Sequence, residues 1–366
     1  MIDGAIAEPT NITISIVSHV AKGRRRKALG WFLEFRMIPV LLWSYTAVAL
    51  GTAVAFLEDG QFEVRWLVVA MALAGLIQGW ETHAINEVFD WRSGTDRDAS
   101  PRALSGGSKV LTMGLLTERD LWIIFAVSSI GVAGLAAIVG LLRAWWLVLL
   151  ISAGYVLGLA YTLPPVATAY RPFAGEWLGA FPGVLLAGLG AYAVQAGRIS
   201  LTAVGALSAH AFVCTAMLVV HHYLDAAADG AAVPKKRTTV VVLGARLART
   251  YATILAASGA ALYATLGLLV HPAFIGAGLI TAAAAVLHRR LDPSDLKAVT
   301  RNELRVIQLG IAAGLSTSVF LAPPLWPLLP LAVLGYLAHL AAVAPPAELA
   351  RAWRGAPSMS ARARTK

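Results

Sequence analysis

Ten apolar runs, separated by short segments whose basic residues fall on alternate sides, constrain this chain more than any other feature. The runs lie near 37–57, 66–85, 121–141, 144–162, 174–194, 199–220, 248–270, 272–287, 304–322 and 326–344. Most approach the roughly 20 residues that a helix needs to cross a hydrocarbon core of about 30 Å. The run at 272–287 is short, and Pro323 and Pro324 leave open whether the last run crosses or folds back. With 58% hydrophobic and only 14% charged residues among 366, the chain has too little polar surface to cover a soluble fold of this size. The expected class is therefore an all-α integral membrane protein.

Loop charge tests the count. Lys22, Arg24, Arg25, Arg26 and Lys27 precede the first run, and Arg92, Arg97, Arg102, Lys109 and Arg119 follow the second. Arg171 follows the fourth, Lys235 to Arg249 the sixth, and Arg289 to Arg305 the eighth; the tail after the tenth is again basic. The intervening exits hold Glu58, Asp59, Glu63 and only three arginines, Arg65, Arg143 and Arg198. Basic loops stay on the cytoplasmic side, so both termini are expected inside a cytoplasmic (inner) membrane. The same bias accounts for the net charge of +10 without nucleic acid as a partner. The lone Cys214, inside an apolar run, excludes an intramolecular disulfide. Nothing in the sequence fixes an oligomeric state.

Two acidic stretches end spans on the basic side: "NEVFDWRSGTD" at 86–96 and "HHYLDAAADG" at 221–230. Asn86 and Asp90 are four apart and share a helix face, as do His221, Asp225 and Asp229. Gly94 is expected to break the first helix and let Asp96 fold back. One such motif alone reads equally well as a solvated helix end. Two on one membrane side, each followed by glycine and basic residues, favour a site. Converging carboxylates repel unless a counter-charge neutralises them. Magnesium takes oxygen ligands, retains waters and bridges carboxylates to substrate phosphates, so two or more Mg²⁺ ions holding a diphosphate on a lipid fit the pattern. Arg102 and Lys109 around a Gly/Ser-rich turn, and Lys236 and Arg237 after Asp229, supply cations for a departing diphosphate. His221 is a candidate base, because histidine titrates near neutrality.

These segments resemble the UbiA superfamily of intramembrane prenyltransferases, and most of all its 1,4-dihydroxy-2-naphthoate polyprenyltransferase branch. The resemblance rests on Asn86, Asp90, Gly94 and Asp96, on Ser105 to Ser108, on Asp225 and Asp229, on Lys236 to Thr238 with Gly244, and on the 158–192 segment. It implies a UbiA-like bundle of about nine transmembrane helices around a central cavity, so nine to ten are expected here with the tenth apolar run. It further implies Mg²⁺-dependent transfer from a polyprenyl diphosphate to an aromatic acceptor in menaquinone biosynthesis, with Asn86, Asp90, Asp96, Asp225 and Asp229 as metal ligands. Tyr161 and Arg171 sit where that family places polar residues near the cavity. The division expected is an interfacial segment 1–35, a prenyltransferase domain 36–322 and an additional helix with a basic tail, 323–366. This chain departs from the pattern at Glu87, where aspartate is usual, at His221, often asparagine, and in the tenth apolar run. The altered residues leave a membrane terpene cyclase open, and ten spans leave a transporter open, although no acidic residue lies at the centre of a span.

Overall fold

The computed structural model describes residues 24–97 and 107–343. The basic tail, the expected interfacial segment before residue 24 and Arg102 lie outside these described residues. Every apolar run is a helix, and among the described residues there is no strand. In a bilayer the backbone must satisfy its own hydrogen bonds, and helices do so within a single segment.

A short α1 (Arg24–Glu34) leads into α2, in which Met37–Val40, the π-helical turn Leu41–Tyr45 and Thr46–Asp59 form one rod. Then come α3 (Val64–Ser93), α4 (Glu118–Leu142), α5 (Leu147–Thr162), α6 (Glu176–Ala196) and α7 (Leu201–Ala231). They are followed by α8 (Thr239–Leu269), α9 (Ala273–Arg290), α10 (Leu296–Leu321) and α11 (Leu328–Val343). Eight of the described helical rods are long and apolar enough to cross a membrane, with the shorter apolar α5 beside them. The chain is thus a multi-pass membrane bundle.

The central helices are α2 and α7, whose apolar stretches are 78% buried; α11, at 11%, lies on the outside against α1 and the start of α2. Small residues let the central rods touch. A Cβ on Gly51 of α2 would overlap the Gly188 carbonyl of α6, which is how helices approach closely where no hydrophobic force separates them from lipid.

Three π-helical turns, Leu41–Tyr45, Gly75–Thr82 and Glu176–Ala180, all contribute to the wall of one internal cavity. A π-turn leaves a backbone carbonyl without its helical donor. Leu42 shows the consequence: its carbonyl meets His210 Nε2 of α7 at 2.8 Å. In α3 the turn serves geometry. Ala70, Ala74, Gln78, Thr82, Asn86 and Asp90, every fourth residue, line the cavity. On a pure α-helix such a stripe would drift by about 40° per step; the wider turn between Gly75 and Thr82 brings it back to the same side.

Candidate active site

Both acidic motifs end at one mouth of this cavity. α3 stops at Gly94, whose φ of 91° suits glycine, and the chain turns back so that the Asp96 amide donates to the Asp90 carbonyl at 3.2 Å. The fold-back expected at Gly94 is therefore present. Asp90 is buried and fully engaged: Tyr170 Oη donates to Oδ1 at 2.6 Å, while Lys236 Nζ at 2.7 Å and Asn86 Nδ2 at 3.2 Å donate to Oδ2. The amide of Asn86 also reaches Thr162 of α5 at 3.3 Å.

Across the mouth, the last turns of α7 present His221, Asp225 and Asp229 as one stripe, all on the cavity wall. Lys236, in the loop after α7, ties the motifs together, since its ammonium also stands 3.9 Å from Asp229 Oδ1. Burial by itself would lower the pKa of that ammonium, but Asp90, Asp229 and Asp96 outweigh burial and hold it well above the usual lysine range. Asp96 is pushed well above the carboxylate range by burial, and further by Asp90 and Glu87. His221 Nδ1 lies 2.8 Å from Glu303 of α10, and its Nε2 is 3.7 Å from Asp225.

The cavity behind this mouth has a volume of about 250 Å³. The stripe on α3 from Ala70 to Asp90 makes it roughly 30 Å long, at 1.5 Å per helical residue. Val139, Leu147 and Val194 line its far end, where α4 ends, α5 begins and α6 ends. The pocket is acidic and polar at its mouth and mostly apolar toward its far end, with Ser44 and Gln78 as polar residues between.

Residues 42–307 match the model of the UbiA prenyltransferase family. This chain belongs to the UbiA prenyltransferase family. Solved UbiA structures share the fold. A UbiA homologue from Archaeoglobus fulgidus bound to GPP and Mg²⁺ superposes with a TM-score of 0.57 at 16% identity, covering 79% of this chain and 99% of that one. The same homologue bound to DMAPP and Mg²⁺ gives 0.56 at 15%, covering 78% and 98%. An apo UbiA homologue from Aeropyrum pernix K1 gives 0.57 at 18%, covering 77% and 96%. No curated protein matches the chain.

Within this UbiA bundle the donor set suits a hard divalent cation. Asp225 Oδ1, both carboxylate oxygens of Asp229 and Asp96 Oδ2 are buried without any hydrogen-bond partner, and they come from both motifs. Among the described residues no three acidic, histidine or cysteine side chains already form a closed cage. Magnesium does not require one, because it keeps waters and completes its shell with substrate phosphate oxygens.

The remaining expected residues divide. Tyr161 lines the cavity beside Gly179. Lys109 lies half-buried within the field of Asp225, Glu87 and Asp96; burial lowers its ammonium to about 8 despite them. Arg171 and Arg237 are not brought in. Arg171 is exposed and donates to the Pro165 carbonyl at 2.5 Å, and Arg237 is exposed, with its amide on the Tyr170 carbonyl at 3.2 Å. The resemblance puts Arg171 near the cavity and the sequence offers Arg237 to the diphosphate; in the structure both lie off the cavity wall, in loops where arginines are frequent on the basic side. Four residues went unrecognised: Glu34, Arg36, Tyr170 and Glu303. Glu303 heads the ninth apolar run, where it reads as a boundary residue, and Tyr170 reaches Asp90 from 80 residues away.

Proposed function

We propose that the chain catalyses Mg²⁺-dependent transfer of a polyprenyl group from an allylic polyprenyl diphosphate to an aromatic acceptor, 1,4-dihydroxy-2-naphthoate for menaquinone biosynthesis, with release of diphosphate. The observation that carries this reading is the pairing of unpartnered carboxylate oxygens on two facing helix ends with an apolar arm as long as the bilayer is thick. The A. fulgidus homologue bound to GPP or DMAPP with Mg²⁺ supports it.

Asn86, Asp90, Asp96, Asp225 and Asp229 would hold the metal. Held there, Mg²⁺ would supply positive charge to the diphosphate oxygens and make diphosphate a better leaving group. Lys236 and Lys109 meet the charge that develops as the allylic C–O bond breaks. The apolar arm orients the tail and excludes water from the allylic carbon. Tyr161 faces the head of that arm, and Arg36, a cation on the wall, is placed for an acidic aromatic. An electron-rich ring carbon attacks the allylic carbon, and His221, steadied by Glu303, takes the ring proton at Nε2. The loop charges favour a cytoplasmic membrane location with both termini and the mouth facing the cytoplasm.

The test is incubation of the purified chain with labelled prenyl diphosphates, Mg²⁺ and a panel of aromatic acceptors. Prenylated acceptor should form, and Asp90→Ala and Asp225→Ala should each abolish it. Release of a hydrocarbon in the absence of any acceptor would instead identify a cyclase.

A further inference from the structure

Glu87 stands beside Asn86 in the first motif, yet it is absent from the cavity wall. Its Oε2 accepts the backbone N–H of Ser108 at 2.7 Å. The hydroxyl of the same serine donates to Glu34 Oε2, at the end of α1, at 2.5 Å. Both glutamates are at least 98% buried, at 0% and 2% exposure. Two buried acceptors from two different helices therefore converge on the amide and the hydroxyl of one loop residue.

The neighbours of Ser108 carry the consequence. Gly107 has φ +69°, and a Cβ there would overlap the carboxylates of Glu87 and Asp96, so the loop backbone lies directly against the first motif. Lys109 has φ +64°, a region that side-chain-bearing residues seldom occupy unless their surroundings impose it. Its ammonium lies in the field of Asp225, on the second motif, as well as of Glu87 and Asp96. A lysine on a free loop would sample many positions; this one follows a residue pinned twice and adopts a strained backbone.

We propose that Glu34 and Glu87 are positioning residues, a two-point clamp on Ser108 that fixes the 107–109 backbone against the first acidic motif and so sets the reach of Lys109 toward the donor diphosphate. The inference rests on the prenyl-transfer reading for the role of Lys109, while the clamp itself stands on the contacts of Ser108. It also gives the glutamate at 87 a purpose. An aspartate would fall short of the Ser108 amide by about one C–C bond, some 1.5 Å.

The experiment uses the full-length, Mg²⁺-loaded protein and the variants Glu34→Ala, Glu34→Gln, Ser108→Ala, Lys109→Ala and the double variant Glu34→Ala/Lys109→Ala. Losing a buried side-chain hydrogen bond corresponds to about a tenfold effect, so Glu34→Ala should raise KM for the prenyl diphosphate about tenfold and leave KM for the acceptor unchanged. Glu34→Gln retains an acceptor oxygen and should recover most of the loss. In the Lys109→Ala background, Glu34→Ala should add nothing further. Independent, multiplying effects, or equal shifts in the two KM values, would overturn the clamp. A second measurement does not depend on turnover: competitive amine labelling of Lys109, read by mass spectrometry. It should speed up in Ser108→Ala and Glu34→Ala while Lys27 stays constant. Unchanged labelling refutes the clamp whatever the reaction proves to be, and a wild-type protein inert to every prenyl diphosphate refutes the prenyl-transfer reading instead.

Discussion

Replacing Lys236 with methionine removes the cation that joins the two acidic motifs while keeping an unbranched chain of similar reach. The ammonium lies 2.7 Å from Asp90 and 3.9 Å from Asp229, and the residue is only 8% exposed. Breaking a buried pair by deleting one partner costs about 3–5 kcal/mol when the orphaned charge has no other relief. Here relief exists, since Tyr170 and Asn86 still donate to Asp90, so the metal-free protein should lose nearer 3 kcal/mol, at the lower edge of that range. Magnesium delivers positive charge to the same oxygens. The thermal stabilisation gained on adding Mg²⁺ should therefore be larger in Lys236→Met than in the unaltered protein. Turnover should move the other way. Losing one preorganised donor to a developing anion lowers kcat by about 10²–10³. Thermal unfolding in detergent with and without Mg²⁺, beside transfer of label from a prenyl diphosphate, reads both effects. A variant with unaltered kcat, or one whose Mg²⁺-induced shift matches the parent's, would refute the role given to Lys236.

Further outcomes follow from individual residues. Burial lowers Lys109 to about 8, so its charge disappears above that pH, and KM for the prenyl diphosphate should rise between about pH 7 and about pH 9.5; Lys109→Arg, which stays charged, should flatten the rise. The unfolded chain keeps this proton up to the ordinary lysine range, so the same residue makes folding stability increase with pH across that window, opposite in sign to the loss of donor binding. Val139→Trp fills the far end of the apolar arm and should shift donor preference toward shorter prenyl chains, measured as kcat/KM over a length series, with short donors unaffected. Arg171→Ala and Arg237→Ala, both exposed and off the cavity wall, should each change kcat/KM by less than about threefold, within the small range typical of surface substitutions.

The helices and the acidic motifs were legible because their signals are local. A span is written in some 20 consecutive residues, and Asn86–Asp90 or Asp225–Asp229 in a spacing of four. The short run at 272–287 proves to be the helix Ala273–Arg290, and the last run the helix Leu328–Val343, so neither Pro323 nor Pro324 abolished the tenth helix. What escaped is tertiary. Glu34, Tyr170 and Glu303 reach the mouth only because α1, the 168–170 turn and the start of α10 meet there. The π-turns, which aim a four-residue stripe of α3 into the cavity, carry no composition of their own. Arg171 and Arg237 lie off the cavity wall, and their loops need no ligand to explain them, since membrane orientation supplies arginines to inner loops.

The charge balance of the mouth connects stability to function. Asp90, Asp96, Asp225, Asp229, Glu34, Glu87 and Glu303 are all buried there, while Lys236, Lys109 and Arg36 are the fixed cations close to them. Seven carboxyl groups against three cations cannot all be ionised in a low-dielectric setting, which is why Asp96 holds its proton well above the carboxylate range. Glu34 and Glu87 accept hydrogen bonds from Ser108, and Glu303 from His221 if Nδ1 carries the proton, so these three have local partners. The remaining surplus sits on Asp96, Asp225 and Asp229, each with at least one buried oxygen that accepts no hydrogen bond. Protons and divalent cations must therefore compete for the same oxygens, and metal binding releases protons. Acidification should weaken Mg²⁺-induced stabilisation in the wild-type protein. Replacing Asp96 with asparagine removes the proton it holds, so proton release per metal bound, measured by titration in two buffers of different ionisation enthalpy, should fall. Unchanged release in Asp96→Asn would mean that the surplus charge is relieved elsewhere and that the two motifs are not one electrostatic unit.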